Sequence, residues 1–406
     1  MRQLKAINRK QHTTGLIFLS FIAFISLGLP DGLLGVAWPG IRSHFDLPLD
    51  ALGGVLIFST GGYMLSSFFS GVLIRRLGIG GLLSLSCAAT ASALFIYATA
   101  PCWWVFVMFA AVGGLGAGAI DAGINTFVAQ NHSERMMQWL HASFGIGVTL
   151  GPIIMTAGIS LTSRWQIGYF FVAAAQGVLA IIFLFTKKMW GDIQTNNRNN
   201  HPAENEATLF ETIRKIPALL SMLMFFIYTG VELGLGLWAY SLLTGSRGIA
   251  PNVAGFITSS YWATFTIGRI LAGWYTGKIP VRKVIYISVA LAIIGVILLY
   301  TNLGQLTTIL GFTISGFAVA PIFPALVSDT ESRVGPRHQA NTIGMQIACA
   351  GLGAALLPSL AGVLARIYSL EIIPLYLLVA LGVLVLVLTF SHVYADKMEC
   401  LEITHK

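Results

Sequence analysis

The chain has 406 residues, 56% of them hydrophobic and only 10% charged, with a formal net charge of +8. Soluble chains carry about 25% charged residues, so a water-facing globule is excluded and the surface must face lipid. The basic excess does not indicate nucleic acid, because the charges fall in short loops between apolar runs, where they determine topology.

Arg2, Lys5, Arg9 and Lys10 precede the first apolar run without an obvious small-residue cleavage site, which reads as a retained cytoplasmic tail. A hydrocarbon core about 30 Å thick needs roughly 20 mostly apolar residues per helix. Twelve such runs follow, at 16–38, 51–73, 79–99, 102–129, 138–160, 167–186, 217–243, 252–275, 281–301, 304–328, 339–366 and 372–395. They are long and continuous rather than alternating over about ten residues, which predicts helices and not a closed barrel. The one long polar connection is 187–215, with Asn196, Asn197, Asn199 and Asn200 at its centre. It divides the chain into a six-run half at 1–186 and another at 216–406. With the N-terminus inside, nineteen of the 24 Lys and Arg face the cytoplasm, against Arg42, Arg164, Arg247 and Arg366 on the other side. Both termini are therefore expected in the cytoplasm, as for a bacterial inner membrane protein. Cys87, Cys102, Cys349 and Cys400 are scattered, with no metal or disulfide spacing.

The halves repeat. Asp31–Gly35 has a counterpart in Glu232–Gly236, 201 residues on; Gly53 and Gly71 recur as Gly255 and Gly273 at 202; Gly145–Pro152 recurs as Gly351–Pro358 at 206. In order and in equivalent runs, these predict a parallel duplication. The expected fold is an all-α integral membrane protein with twelve transmembrane helices in two pseudo-symmetric six-helix bundles.

Ionisable groups inside membrane segments are costly and are the first candidates for function. Asp31 follows Pro30, whose missing amide hydrogen frees the Ser26 carbonyl and is expected to break the helix beside the acid. Gly28, Asp31 and Gly35 share a face, so the spot should look toward protein. Asp121 and Asn125, four apart and continuing a stripe from Gly114 and Gly118, suit either close helix packing or a cavity wall. Asp31 and Asp121 are the candidates for proton or cation coupling. Glu232, the counterpart of Asp31, could hold hydroxyls, with Trp238 offering a flat face to a sugar ring. Its alternative is a salt bridge with Arg269, although Arg269 lies near the cytoplasmic end of its run and is expected to serve the interface. His141, in series with Gly145 and Thr149, joins Asn125, Glu232, Trp238, Trp262 and Gln346 as a candidate solute contact.

At these residues the chain resembles a known family. Gly114-Leu-Gly-Ala-Gly-Ala-Ile-Asp-Ala-Gly-Ile-Asn125, Leu140-His-Ala-Ser-Phe-Gly-Ile-Gly147, Tyr228-Thr-Gly-Val-Glu232 and Gly28-Leu-Pro-Asp-Gly32 are similar to the fucose–galactose–glucose:proton symporter branch of the major facilitator superfamily. The resemblance implies the major facilitator fold, and roles in proton coupling and sugar binding for acids on the first and fourth helices, here Asp31 and Asp121. Related animal members are sodium-dependent sugar carriers, so the coupling ion is H+ or Na+, with no other cofactor. Two motifs depart from the pattern. The loop usually reading Gly-x-x-x-Asp-Arg-x-Gly is Gly71-Val-Leu-Ile-Arg75-Arg76-Leu-Gly78, and its second copy at Gly273–Lys278 is degenerate. Gly147-Val-Thr-Leu-Gly151-Pro152 resembles the fifth-helix motif of drug–proton antiporters, which keeps efflux as the alternative.

The expected function is secondary active transport of a small polar solute, a sugar first, by a monomer whose other partner is membrane lipid. No His-Glu-x-x-His, Gly-x-Ser-x-Gly or cysteine cluster points to an enzyme.

Overall fold

The computed structural model describes residues 2–131, 134–191, 207–275 and 278–404. These form fourteen α-helices: α1 (Arg2–His44), α2 (Leu52–Thr99), α3 (Trp103–Asn131), α4 (Glu134–Thr162), α5 (Gln166–Gly191), α6 (Leu209–Ile213), α7 (Ile216–Gly245), α8 (Pro251–Tyr275), α9 (Val281–Thr301), α10 (Gln305–Val319), α11 (Ile322–Ser328), α12 (Thr330–Val334), α13 (Pro336–Ile367) and α14 (Ile372–Thr404). Eleven segments among the described residues are long and apolar enough to cross a membrane. The remaining expected run, 252–275, is helical throughout in α8, but Thr258, Ser259, Ser260, Thr264, Thr266 and Arg269 give it a more polar composition.

Three boundaries differ from expectation, each for a local reason. The runs 51–73 and 79–99 join into α2, turned at a single residue, Gly78, whose φ of 70° favours glycine. The run 304–328 divides into α10 and α11 at Ala320 and Pro321, because Pro321 and Pro324 withdraw two amide donors from the ladder. Of the expected central loop, α5 takes the start and α6 part of the end, while 192–206, with the asparagine-rich stretch, lie outside the described residues. So do residues 276–277 in the second copy of the loop motif and the side chain of Arg75 in the first.

Contacts group the chain into two units. One comprises 1–47, 54–200 and 251–259; the other comprises 48–53, 201–250 and 260–406. Within the first, α1 lies along α4, and within the second α7 lies along α13. Glycine sets both spacings. A Cβ on Gly147 would strike the Ile25 carbonyl oxygen, and one on Gly353 would strike that of Phe226. A second pair of contacts repeats as faithfully. Gly114 abuts the Ser59 carbonyl and Gly316 that of Tyr261, each partner displaced by 202 residues between the units. The duplication seen in the sequence therefore extends to which backbone atoms touch, and small residues let those backbones meet. Gly151 belongs to the same seam, against Leu29 and Gly32, so the antiporter-like Gly147–Pro152 motif serves here to seat α4 on α1. Gly147→Ala and Gly353→Ala should each cost about 1–3 kcal/mol from overpacking, read as a lower thermal midpoint in detergent. Gly177→Ala, which meets nothing within 4 Å, should not lower it.

The break expected at Pro30 does not occur, and α1 runs on through both Pro30 and Pro39. The Ser26 carbonyl that Pro30 leaves without a donor receives one from elsewhere: the buried Gln176 side chain of α5 donates to it at 2.8 Å. With that carbonyl satisfied by a neighbouring helix, the proline is accommodated inside a span.

Candidate functional site

In the first unit the polar groups converge on α1, α2 and α3. Gly118 of α3 has no room for a side chain, since a Cβ would meet the Tyr63 carbonyl and the Ser66 and Ser67 hydroxyls of α2. The Ser67 hydroxyl donates to the Gly118 carbonyl at 3.2 Å. This close approach brings Asp121, the next turn of α3, opposite the Tyr63 side chain. The Tyr63 hydroxyl donates to Asp121 Oδ2 in a short hydrogen bond, and the Asn125 amide donates to Oδ1 at 2.9 Å. Both carboxyl oxygens are thus held by donors. The Asn125 Oδ1, buried, has no donor of its own among the described residues. In the stripe Gly114–Gly118–Asp121–Asn125 the glycines pack against α2 and the polar end is hydrogen-bonded, Asp121 to Tyr63 and Asn125.

Asp31 is the opposite case. Its side chain is exposed near the middle of the span Gly15–His44 and makes no hydrogen bond or ion pair among the described residues. A bare carboxylate against hydrocarbon would be prohibitive, so an acid at this depth must be either solvated or neutral. Its neighbours on α1 do face protein: Gly28 and Gly32 sit against Phe144, Val148 and Pro152 of α4. Asp31 on α1 and the Tyr63–Asp121 pair across α2 and α3 belong to the same unit. His141 of α4 is half-buried, edge-on to Phe24 of α1 with ring centroids 5.6 Å apart.

In the second unit Glu232 is buried and partnered. Arg269 approaches it at 3.7 Å and lies with its guanidinium 4.2 Å over the Phe265 ring. That distance is a Coulombic contact rather than a good hydrogen bond. The expectation that Arg269 serves the membrane interface is therefore corrected. A helical side chain leans back toward its helix N-terminus, which on α8 carries Arg269 inward to Glu232. Tyr261 donates to the Glu232 backbone carbonyl at 2.7 Å, and Tyr228 to the Val319 carbonyl at 2.8 Å, where α10 ends. The equivalent acids of the two units thus differ, one bare and one paired.

The other candidates in this unit lie among packed helices. Trp238 is 1% exposed and its indole donates to the Pro358 carbonyl at 2.9 Å. Trp262 is packed over Gly236, with Tyr261 and Phe265 at its edges. Gln346, fully buried, donates to the Thr330 hydroxyl at 3.0 Å. Thr330 borders a buried network absent from the sequence reading. Asp329 there pairs with Arg333 at 3.2 Å and His392 at 2.9 Å and accepts from Ser332, while Tyr286 reaches the other His392 nitrogen at 3.1 Å.

Tyr63 was not singled out from the sequence, where it reads as one more aromatic residue of an apolar run. Its face carried a signal nonetheless: Ser59, Gly62, Tyr63 and Ser66 form a small and polar stripe on α2 matching that on α3.

A family model for the Major Facilitator Superfamily matches residues 16–248 and, a second time, 220–399. The chain belongs to that superfamily. It is a membrane transporter, as members of the superfamily are, and not an enzyme. Over 400 residues it is 23% identical to bypass of stop codon protein 6 of Saccharomyces cerevisiae, covering 90% of this chain and 80% of that one. A glucose/mannose transporter of Bacillus subtilis is 22% identical over 356 residues, with 86% and 87% covered. Sodium-dependent glucose transporter 1 of Homo sapiens is 21% identical over 402 residues, with 89% and 75% covered. Among solved structures, a nucleoside transporter superposes with a TM-score of 0.74 at 15% identity, covering 92% of this chain and 98% of that one. A fucose:proton symporter of E. coli, captured in the outward conformation, gives 0.62 at 14%, with 92% and 98% covered. The superfamily fold expected from the sequence is thereby established, and sugar transporters are among the relatives.

Proposed function

We propose that the protein is a cation-coupled symporter of a sugar-like solute in a bacterial inner membrane, with both termini cytoplasmic, working as a monomer by alternating access. The observation that carries this reading is the pairing, in one unit, of an Asp31 without hydrogen bond or ion pair among the described residues and a donor-held Asp121. Asp121 is the coupling group. Its two neighbours present hydrogens, whereas a hard metal cation would need oxygen ligands, so H+ suits this carboxyl better than Na+. Asp31 and the unpartnered Asn125 Oδ1 would accept from solute hydroxyls, and His141 would add a polar contact. Neutralising the acids before the conformational swing removes the cost of carrying charge through the apolar phase. The glucose-transporter names among the relatives support a hexose as the first solute to try.

The test is uptake of labelled D-glucose into proteoliposomes under an imposed pH gradient. Accumulation that collapses with an uncoupler is expected. A thermal-shift screen over sugars, nucleosides and amphiphilic cations accompanies it. Stabilisation by cations alone, with none by any sugar, would overturn the reading in favour of efflux.

A further inference from the structure

Resting on the reading of Asp121 as the protonated group, we infer that Tyr63 is its reporter: a hydroxyl that donates to charged Asp121 and, once the acid is protonated, is freed to donate to the solute. Tyr63 is a half-buried residue on a different helix from Asp121, and its register opposite the acid is fixed by the Gly118 contact rather than by its own packing. With Asp121 charged, the Tyr63 hydrogen points at Oδ2. The arriving proton goes to that same oxygen, because the Asn125 amide nitrogen facing Oδ1 can only donate whereas the Tyr63 hydroxyl facing Oδ2 can also accept. Two hydrogens cannot occupy one O···O contact. The new Oδ2–H donates to the Tyr63 oxygen, which turns from donor to acceptor, and the phenol hydrogen swings away. No atom is lost and no bond to carbon changes: one proton is gained from solvent and one hydrogen bond reverses direction.

The released hydrogen is then available to a solute oxygen. Other titratable groups in the spans of this unit include Asp31 of α1, Tyr97 of α2 and His141 of α4, the last edge-on to Phe24 of α1. A solute oxygen accepting from Tyr63 would then bind better to the protonated carrier, which is what symport requires: differential affinity between two states. Tyr63 is on this account a positioning residue for Asp121 and a conditional contact for solute.

Infrared difference spectra of the purified protein in nanodiscs, taken on acidification, test this without any solute. The wild type should show a protonated-carboxyl C=O band together with a tyrosine C–O band. Asp121→Asn should remove the tyrosine band and the Asp121 share of the carboxyl band, leaving that of Asp31. Tyr63→Phe should remove the tyrosine band and move the carboxyl band to the higher frequency of an acid with one fewer hydrogen bond. Incorporation of 3-fluorotyrosine at position 63, which retains the hydroxyl and the shape, should move both bands and guards against a poorly folded Tyr63→Phe protein. A carboxyl band unmoved in Tyr63→Phe, or a tyrosine band that survives in Asp121→Asn, overturns the inference. In the transport arm, the apparent KM for D-glucose counterflow should rise about tenfold from acid to alkaline pH in the wild type, the worth of one hydrogen bond. In Tyr63→Phe it should stay at the higher value throughout. Absence of D-glucose flux in the wild type would count against the sugar reading alone, since the infrared arm decides the role of Tyr63 by itself.

Discussion

Asp121→Asn should abolish accumulation of solute while leaving solute exchange across the membrane. The substitution preserves size, and the new side-chain oxygen can still accept from Asn125, so the α2–α3 seam at Gly118 should persist. What disappears is the ability to change charge. A gradient of about one pH unit supplies roughly 1.4 kcal/mol, and about 100 mV supplies roughly 2.3 kcal/mol per charge. A one-to-one symporter could therefore hold an accumulation ratio on the order of several hundredfold, and Asp121→Asn should reduce it to unity. Gradient-driven uptake and counterflow in the same proteoliposomes separate the two activities. Retention of concentrative uptake would move the coupling role elsewhere, to Asp31 first. Asp31→Asn is expected to differ, depressing both activities, because Asp31 is open to solute rather than held by donors.

The second large effect concerns stability. Asp329→Ala should lower it by about 3–5 kcal/mol, the usual cost of leaving one member of a buried pair alone. Arg333 is 4% exposed and Asp329 5%, so neither water nor another acid among the described residues replaces the lost partner. Burial pushes Arg333 down to about 10, which leaves it charged at neutral pH and dependent on Asp329. Asp329→Asn should cost less, since an amide still accepts from Ser332. For Asp329 itself, burial acts upward, but the hydrogen bond from His392, the Arg333 charge and the Ser332 hydroxyl outweigh it and hold the acid below the usual carboxylate range. A group with a depressed folded value stabilises fully above its unfolded value, about 3.9, and loses that contribution as pH falls through the folded one. The thermal midpoint should accordingly drop below about pH 4, and less steeply in Asp329→Asn. Glu371 contributes with the same sign: burial acts upward on it too, but the bonds and charge of Arg247 prevail. A residual slope in Asp329→Asn is therefore expected.

The spans and the repeated glycine contacts were legible because hydropathy and glycine spacing are local or strictly periodic properties. The acids were legible because an ionisable residue inside an apolar run is conspicuous. Partners were not. Tyr63 and Asp121 are 58 residues apart, Ser26 and Gln176 150, and Asp329 and His392 63. Which of these meet depends on the rotation of each helix about its axis, and an apolar run fixes that rotation only loosely. Gln346 and Trp238 illustrate the same limit, since their chemistry suggested solute while their rotation turned them to Thr330 and Pro358. Pro30 shows the reverse: the freed carbonyl was foreseeable, but its donor came from another helix.

The paired glycine–carbonyl contacts bear on inheritance as well as on packing. Where backbone rests on backbone, the remaining helix faces are free to change without disturbing how the helices meet. After the gene doubled, each copy could keep its seams and acquire its own chemistry. The position of Asp121 is taken in the second copy by Phe323, which meets Phe225 edge to face, and the bare Asp31 has as its counterpart a Glu232 attended by Arg269. Two ancestral equals have diverged, one keeping its first-helix acid bare and the other pairing it, and new cargoes could evolve on this chassis through side chains alone.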